Sequence, residues 1–294
     1  MNGGVDPPPL PPGRPLRLPG RGTTFVREMA GPPGAPTVVL LHGWTVTADL
    51  NWFPSYFRLA RHFRVLALDQ RGHGRGLRSW RPFRLEDCAD DVAALVRATD
   101  TDRAIIVGYS MGGPVAQLVW RRHREVVEGL VLCATSARFV SDPRERLLFG
   151  SLLGLSVAAR LTPGVVSRQV TGSFTRRRLD GTSLGWAVDE LERNDPAAIL
   201  QAGAAIGGYD ARGWVGAIDV PTAVVVTTQD RVVDPRHQVS LARAITGASM
   251  HPVAGDHAVC VAEPGIFVPT LVEACDLVAR RAGQPASTQA RPTQ

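Results

Sequence analysis

The sequence predicts an α/β fold in which a mostly parallel sheet is covered by helices on both faces. Apolar, β-branched runs alternate with helix-like segments from residue 37 to residue 134. The same alternation returns at residue 221, after a long stretch that contains no convincing strand. At 294 residues the chain is long enough for one large α/β domain with an insertion, or for two small domains.

Composition and charge are ordinary for a globular protein. The formal charge is +6, and because the sequence has no lysine, its basic residues are arginines and histidines. The arginines form no dense basic stripe, only short clusters such as residues 121–122 and 176–178, so we interpret the charge as a solvated surface and expect no nucleic-acid partner. No apolar stretch reaches the ~20 residues that a membrane-spanning helix needs, so no transmembrane segment is predicted.

The cysteines and the amino terminus bear on location. Cys88, Cys133, Cys260 and Cys275 are scattered without C-x-x-C spacing, and we expect free thiols, which fit a reducing cytoplasm. No basic segment followed by an apolar one occurs at the amino terminus, so no secretory signal is predicted. These observations together predict a cytoplasmic protein.

The first 99 residues contain the start of the sheet. Residues 1–14 are rich in proline and glycine and are expected to be disordered. Two short strands are predicted at residues 16–18 and 23–28, around a turn of proline and glycine at residues 19–22. The elements predicted next are a buried strand, a helix, a second buried strand and an amphipathic helix, at residues 37–41, 53–62, 63–68 and 85–99.

The stretch from Ala104 to Trp120 carries the most informative motif. Its apolar first half predicts a buried strand, and its second half predicts a helix. The turn between them is Gly-x-Ser-x-Gly with Ser110 at its tip, a strand-to-helix turn that holds a nucleophile in a strained backbone conformation. Gly108 and Gly112 leave room for the neighbouring strand and helix, and the helix N-terminus directs free N–H groups toward a developing negative charge.

The alternation of strands and helices stops after a further predicted strand at residues 129–134. Residues 136–214 contain several helix-like segments, and we expect them to form a helical cap inserted into a core of residues 15–135 and 215–282. The polar tail, residues 283–294, is expected to be disordered. The remaining core elements are predicted as strand, helix, strand and helix, at residues 221–227, 235–246, 248–253 and 267–282.

Two further residues complete a candidate catalytic set. A serine is a poor nucleophile unless a base accepts its proton and an acid orients that base. Asp230 follows the strand at residues 221–227, and His257 follows the last strand, so Ser110, Asp230 and His257 each lie on a loop after a predicted strand. Asp234 is the alternative acid, but it precedes Pro235 at the start of a helix, as an N-cap does; Asp256 is interpreted as a turn residue.

The developing oxyanion needs two convergent N–H donors. One is expected from the main chain of Met111, directly after the nucleophile, and the other from Trp44, in the loop after the strand at residues 37–41. His42, Arg71 and His73 are interpreted as structural residues of the turns in which they occur.

The motifs His42-Gly43, the Arg-Gly-His-Gly turn at residues 71–74 and Gly-Tyr-Ser-Met-Gly-Gly at residues 108–113 together resemble the α/β-hydrolase superfamily, over about residues 15–281. The resemblance implies an α/β-hydrolase fold, with a mostly parallel eight-stranded sheet, helices on both faces and an inserted helical cap. Similar proteins include carboxylesterases, lipases, lactonases, cofactor-free haloperoxidases and C–C hydrolases. Epoxide hydrolases and haloalkane dehalogenases carry aspartate at the elbow, so Ser110 argues against both. The tryptophan-containing loop at residues 44–52 departs from the family pattern.

We therefore expect a serine hydrolase that cleaves an ester-like bond of a small substrate through an acyl-enzyme on Ser110, without a metal or an organic cofactor. The leucine-rich segment at residues 147–161 favours a substrate with an apolar acyl or alkyl part over a sugar. The alternatives are another reaction on the same residues (C–C cleavage, perhydrolysis or acyl transfer), or a non-catalytic ligand receptor on this fold. Oligomeric state is left open by the sequence.

Overall fold

The computed structural model describes residues 7–140, 142–161 and 184–284, and within them the chain forms an eight-stranded sheet. The order across the sheet is β1-β2-β4-β3-β5-β6-β7-β8, with antiparallel pairing of β1 with β2 and of β2 with β4, and parallel pairing elsewhere. The predicted mostly parallel sheet is therefore confirmed. Its strands are β1 (Gly13–Leu18), β2 (Gly22–Met29), β3 (Thr37–Leu41), β4 (Arg64–Leu68), β5 (Ala104–Tyr109), β6 (Val127–Cys133), β7 (Thr222–Thr227) and β8 (Ser249–Val253).

Helices connect the parallel strands and lie on both faces of the sheet. Those described before β6 are α1 (Ala48–Trp52), α2 (Tyr56–Leu59), α3 (Leu85–Ala98) and α4 (Gly112–Arg122). Those described after β6 are α5 (Pro143–Leu161), α6 (Leu184–Glu192), α7 (Pro196–Gly208), α8 (Pro235–Ala244), α9 (Val259–Ala262) and α10 (Pro264–Ala282). Within the described ranges, no helix is both long and apolar enough to cross a membrane.

Alternate side chains of the central strands point into two separate cores, as the period of two in a strand requires. Val39, Ile106 and Leu130 belong to the core beneath α3, α4 and α8, which we call the α3 layer. Val38, Ile105 and Val131 belong to the core beneath α2 and α10, which we call the α10 layer. Burial of each such side chain contributes about 1.5–3 kcal/mol to folding.

The cysteines are free and divide between the two layers. Cys88 lies in the α3 layer, whereas Cys133, Cys260 and Cys275 lie in the α10 layer. Burial raises the pKa of all four thiols, that of Cys260 to about 12.

The structure differs from the sequence prediction at two places near the amino terminus. β1 begins at Gly13, inside the stretch 1–14 that was expected to be disordered, because Arg27 of β2 donates a 2.7 Å hydrogen bond to the carbonyl of Pro11 and extends the pairing. The loop at 44–52 ends in the helix α1, where Thr47 caps the N–H of Leu50, and the helix predicted at 53–62 covers only Tyr56–Leu59. Residues 1–6 and the tail from 285 lie outside the described residues.

The insertion between β6 and β7 is helical where it is described, and residues 162–183 of the expected cap lie outside the described ranges. Helices α5 and α7 pack closely. A Cβ at Gly203 would come within 2.7 Å of Leu152, and one at Gly207 would collide with Phe149. The two glycines of α7 thus let the two helices approach.

Candidate active site

The turn between β5 and α4 has no spare volume. Ser110 has a φ of 51°, in the left-handed region that non-glycine residues rarely adopt. A Cβ on Gly108 would collide with the carbonyl of Gly112, and one on Gly112 would collide with the carbonyl of Leu41. Gly113 lies equally close to the side chain of Thr135. These contacts explain the glycines of the motif and hold Ser110 at the carboxyl edge of the sheet.

Ser110, His257 and Asp230 form one hydrogen-bonded chain. Nε2 of His257 lies 3.0 Å from Oγ of Ser110, and Nδ1 of His257 lies 2.7 Å from Oδ2 of Asp230. Because an ionised carboxylate can only accept, Nδ1 donates to Asp230, and Nε2 is left to accept the Ser110 proton. The three residues follow β5, β8 and β7, whose carboxyl ends meet at one edge of the sheet.

The loop after β7 holds the Asp230 carboxylate. Oδ1 accepts from the N–H groups of Val232 and Val233, at 2.8 and 2.9 Å, and Oδ2 accepts from Thr227 Oγ1 at 2.7 Å. Burial raises the pKa of Asp230, but the hydrogen bonds from His257, Val233 and Thr227 outweigh it, so the pKa lies below its ordinary value. The carboxylate therefore stays ionised at neutral pH beside the imidazole.

The competing acidic residues have other partners. Asp234 accepts from the N–H of Arg236 at the start of α8, the capping role that the sequence predicts. Asp256 accepts from the N–H groups of His257 and Arg231, at 2.6 and 3.1 Å, so its carboxylate holds the turn that carries the base.

The loop after β3 lies against Ser110. A Cβ on Gly43 would be 3.4 Å from Cβ of Ser110, and the Gly43 N–H is already donated to Asn51 Oδ1 at 2.9 Å. Met111 directly follows Ser110 at the start of α4. Among the hydrogen bonds formed between described residues, none is donated by the main-chain N–H of Trp44 or Met111. Neither N–H group is therefore engaged by a hydrogen bond within the described residues.

Sequence reasoning missed two residues that brace the site. Tyr109 donates from its hydroxyl to the main-chain carbonyl of His257 at 2.7 Å. Thr135 donates from Oγ1 to the main-chain carbonyl of Ser110 at 2.8 Å. Tyr109 stands in an otherwise apolar strand, and its single polar atom was the available signal; Thr135 offered only its position after β6.

The histidines of the two other motifs are buried and structural. His42 donates from Nδ1 to the carbonyl of Gly43 and accepts at Nε2 from the N–H of Gln70, at 2.8 and 2.9 Å. His73 lies with its ring 5.1 Å from that of His42 and donates from Nδ1 to the carbonyl of Arg71. Burial lowers the pKa of His42 to about 4 and that of His73 to about 3, so both rings are neutral at pH 7.

The inserted helices lie over the loop after β3. Trp44 donates from its indole Nε1 to the carbonyl of Ile199 in α7 at 2.8 Å, and its ring lies 6.3 Å from that of Phe149 in α5. Leu152 faces α7, whereas Leu155 is 54% exposed. Other exposed leucines of α5 are Leu147, Leu148 and Leu153. The inward face of α5 therefore carries Phe149 and Leu152.

Among the residues that the structure describes, no group of three or more histidine, cysteine, aspartate or glutamate side chains is arranged to hold a metal ion.

Known proteins of similar sequence include hydrolases and esterases. The "AB hydrolase superfamily protein YisY" of Bacillus subtilis is 25% identical over 239 residues, which cover 79% of this chain and 87% of that protein. The pimeloyl-[acyl-carrier protein] methyl ester esterase of Neisseria meningitidis serogroup A is 32% identical over 74% of this chain and 70% of that protein. Three other curated relatives match over only 37% to 40% of their own length.

The fold is also found among solved structures. The enol-lactonase of Burkholderia xenovorans LB400 superposes with a TM-score of 0.73 and 27% identity, covering 88% of this chain and 98% of that one. A family profile described as "alpha/beta hydrolase fold" matches residues 36–264, which include every member of the hydrogen-bonded chain from Ser110 to Asp230. This chain belongs to the α/β-hydrolase family.

Proposed function

We propose that this protein is a serine hydrolase of carboxylic esters, with Ser110 as nucleophile, His257 as general base and Asp230 as the residue that orients it. The continuous hydrogen bonding from Asp230 through His257 to Ser110, at 2.7 and 3.0 Å, is the observation that carries the proposal. A serine, a neutral imidazole and an ionised carboxylate in this order are what proton abstraction from the hydroxyl requires.

The reaction has two halves. In the first, Oγ of Ser110 attacks the ester carbonyl while its proton passes to Nε2 of His257, and the carbonyl electrons move to an oxygen held by the N–H groups of Trp44 and Met111. The C–O bond then breaks, His257 returns the proton to the leaving alcohol, and the acyl group stays on Ser110. In the second half, water attacks this acyl-enzyme while His257 accepts its proton; the bond between the acyl carbon and Oγ then breaks, His257 returns the proton to Oγ of Ser110, and the acid leaves.

The substrate is proposed to be a small molecule with an apolar acyl or alkyl part. Phe149 of α5 lies with its ring 6.3 Å from that of Trp44, and Leu152 packs against Gly203 of α7, so the insertion brings apolar side chains to the loop after β3. Two of the similar proteins are named as a methyl ester esterase and an enol-lactonase, both acting on carboxylic esters. We propose that residues 136–214 act as a cap that selects the acyl group.

The test uses a fluorophosphonate probe, which reacts with an activated serine. We expect labelling at Ser110, loss of labelling in Ser110→Ala, and normal labelling in the control Ser151→Ala, since Ser151 is exposed on α5. Hydrolysis of p-nitrophenyl esters of increasing acyl length then defines the substrate range, and partitioning of the acyl group between water and hydrogen peroxide separates hydrolysis from perhydrolysis. Labelling of Ser110→Ala at a different serine would refute the assignment.

A further inference from the structure

The loop that carries the Trp44 N–H is bonded to the insertion at three points. Trp44 donates from Nε1 to the carbonyl of Ile199, at 2.8 Å. The carbonyl of Thr45 accepts from Asn194 Nδ2 at 2.7 Å, and Thr47 Oγ1 donates to Glu190 Oε2 at 3.0 Å. Residues 44–47 of the core are thus attached to residues 190–199 of the insertion, more than 140 positions later in the sequence.

Asn194 forms the central bond of this set. Its Nδ2 donates to the carbonyl of Thr45, and its Oδ1 accepts from the N–H of Gly74 in the loop after β4, at 2.8 Å. The two partners fix the orientation of the amide, because a carbonyl can only accept and a peptide N–H can only donate. One side chain between α6 and α7 therefore joins the loop after β3 to the loop after β4.

The backbone at Thr45 needs this support. Thr45 has a φ of 69°, in the left-handed region that is unfavourable for a β-branched residue and persists only where surrounding contacts impose it. On the other side of Trp44, the N–H of Gly43 is fixed by Asn51 Oδ1 at 2.9 Å. The Trp44 N–H consequently lies between two anchored residues, one held by the core and one by the insertion.

The Trp44 side chain is positioned by the same segment. A Cβ on Gly203 would lie 2.6 Å from Cζ2 of Trp44, so the indole rests directly against the backbone of α7. A tryptophan ring is rigid, and its position constrains the peptide from which it extends. The Trp44 ring, the Thr45 carbonyl and the Thr47 hydroxyl thus all contact the insertion.

We propose that Asn194 is a positioning residue for the oxyanion hole, acting through Thr45 on the N–H of Trp44. This inference rests on the proposed function, and it assigns the insertion a second role: the insertion holds part of the catalytic apparatus as well as covering the substrate. Asn194 itself touches neither substrate nor the reacting atoms. Its contribution should appear only where negative charge develops on the carbonyl oxygen, since a donor displaced by as little as 1 Å can cost about 100-fold in rate.

The test compares Asn194→Ala and Asn194→Asp with the control Glu192→Gln, an exposed neighbour at the end of α6. Asn194→Asp has nearly the same shape and keeps the acceptor for Gly74, but places an oxygen against the Thr45 carbonyl, so it tests the proposal even if the alanine variant is unstable. Each protein is assayed with p-nitrophenyl butyrate, and its folding is checked by thermal unfolding.

The decisive readout is the inhibition constant of 1,1,1-trifluorooctan-2-one relative to octan-2-one. Ser110 adds to the carbonyl carbon of the trifluoromethyl ketone, His257 takes the hydroxyl proton, and the carbonyl oxygen becomes an oxyanion; the methyl ketone binds without this charge. We expect kcat and trifluoromethyl ketone affinity to fall in parallel by about 10- to 100-fold in both Asn194 variants, with KM and octan-2-one affinity within about twofold. Glu192→Gln should match the wild type.

Provided that the wild type is labelled at Ser110 by the fluorophosphonate, two results would overturn this inference without affecting the proposed function. One is unchanged trifluoromethyl ketone affinity in folded Asn194 variants, and the other is an equal loss of affinity for both ketones. Failure of the wild type to be labelled would instead overturn the proposed function, and with it this inference.

Discussion

The hydroxyl of Tyr109 donates a 2.7 Å hydrogen bond to the main-chain carbonyl of His257, so the residue before Ser110 holds the loop that carries His257. The Tyr109 ring is itself fixed by edge contacts with Trp52 and Phe267, at centroid distances of 5.9 and 5.6 Å. The distance between Ser110 and His257 therefore depends on one buried side chain that belongs to neither residue.

Replacing Tyr109 by phenylalanine should remove the link between the strand that ends before Ser110 and the loop that carries His257. We expect Tyr109→Phe to lower stability by about 1 kcal/mol, the net value of one hydrogen bond, and to lower kcat by about tenfold because His257 is less well held. The control is Tyr56→Phe, which removes a buried hydroxyl bonded to Asp49, away from the base. Urea unfolding and ester hydrolysis measure both effects; similar kcat values in the two variants would show that Tyr109 has no special role.

The sheet could be predicted from the sequence because its central strands carry their own signal. The run from Ala104 to Val107 is apolar and every residue of β5 is buried, so no partner was needed to recognise it as a strand. The contact of Gly108 with the carbonyl of Gly112 likewise lies within the local turn. Ser110, Asp230 and His257 each follow the end of a strand, and the pattern of apolar runs in the sequence locates those ends.

Features that depend on distant partners could not be predicted in this way. The loop before α1 becomes helical where Thr47 caps it and Asp69 accepts the N–H of Ala48 at 2.9 Å, a contact across 21 positions. The bond between Asn194 and Thr45 joins residues 149 positions apart, and an isolated asparagine after a helix has many ordinary explanations. Nothing local distinguishes it from a turn residue.

Asp230 and Asp234 are the two candidates for the acid that orients His257, and replacing each of them tests the assignment. We expect Asp230→Asn to lower kcat by about 10⁴, because an amide cannot fix the imidazole tautomer or stabilise its charged form. Asp234→Asn should retain activity and stability, since asparagine caps a helix as well as aspartate does. Steady-state kinetics on one ester decides between them, and the reverse pattern would exchange the two roles.

The pair of buried histidines predicts acid sensitivity of the fold. Burial lowers the pKa of His42 to about 4 and that of His73 to about 3, so the unfolded chain binds protons that the folded chain does not. The contribution of the two neutral rings to the free energy of unfolding is complete above the ordinary histidine pKa of about 6.5. It is lost as pH falls toward the folded-state pKa values, by up to about 1.4 kcal/mol per pH unit for each ring.

His73→Asn tests this directly, because the amide can still donate to the Arg71 carbonyl but does not titrate. We expect the unfolding free energy to depend less steeply on pH between pH 6.5 and pH 4.5, by the equivalent of about one bound proton, whatever the change in absolute stability. The control His62→Asn alters an exposed histidine. Parallel pH curves for wild type and His73→Asn would contradict the prediction.

One side of α5 packs against α7 and the other is exposed, which allows a test of the proposed cap. Leu152 faces α7, whereas Leu155 is 54% exposed. We expect Leu152→Asp to raise KM for long-chain esters more than for acetate esters, by about fourfold for each methylene that loses its apolar contact, while Leu155→Asp leaves both unchanged. Equal losses at every acyl length in a folded Leu152→Asp protein would show that α5 does not select the substrate.

The division of the thiols between the two layers gives the protein a built-in set of unfolding reporters. Cys88 is sealed in the α3 layer and Cys133, Cys260 and Cys275 in the α10 layer, so no thiol should react with a maleimide or an aromatic disulfide until the layer around it opens. Mass spectrometry of the modified cysteines during mild denaturation would therefore reveal which side of the sheet opens first. Simultaneous modification of Cys88 and Cys275 would identify the whole sheet as a single cooperative unit, without any label added to the sequence.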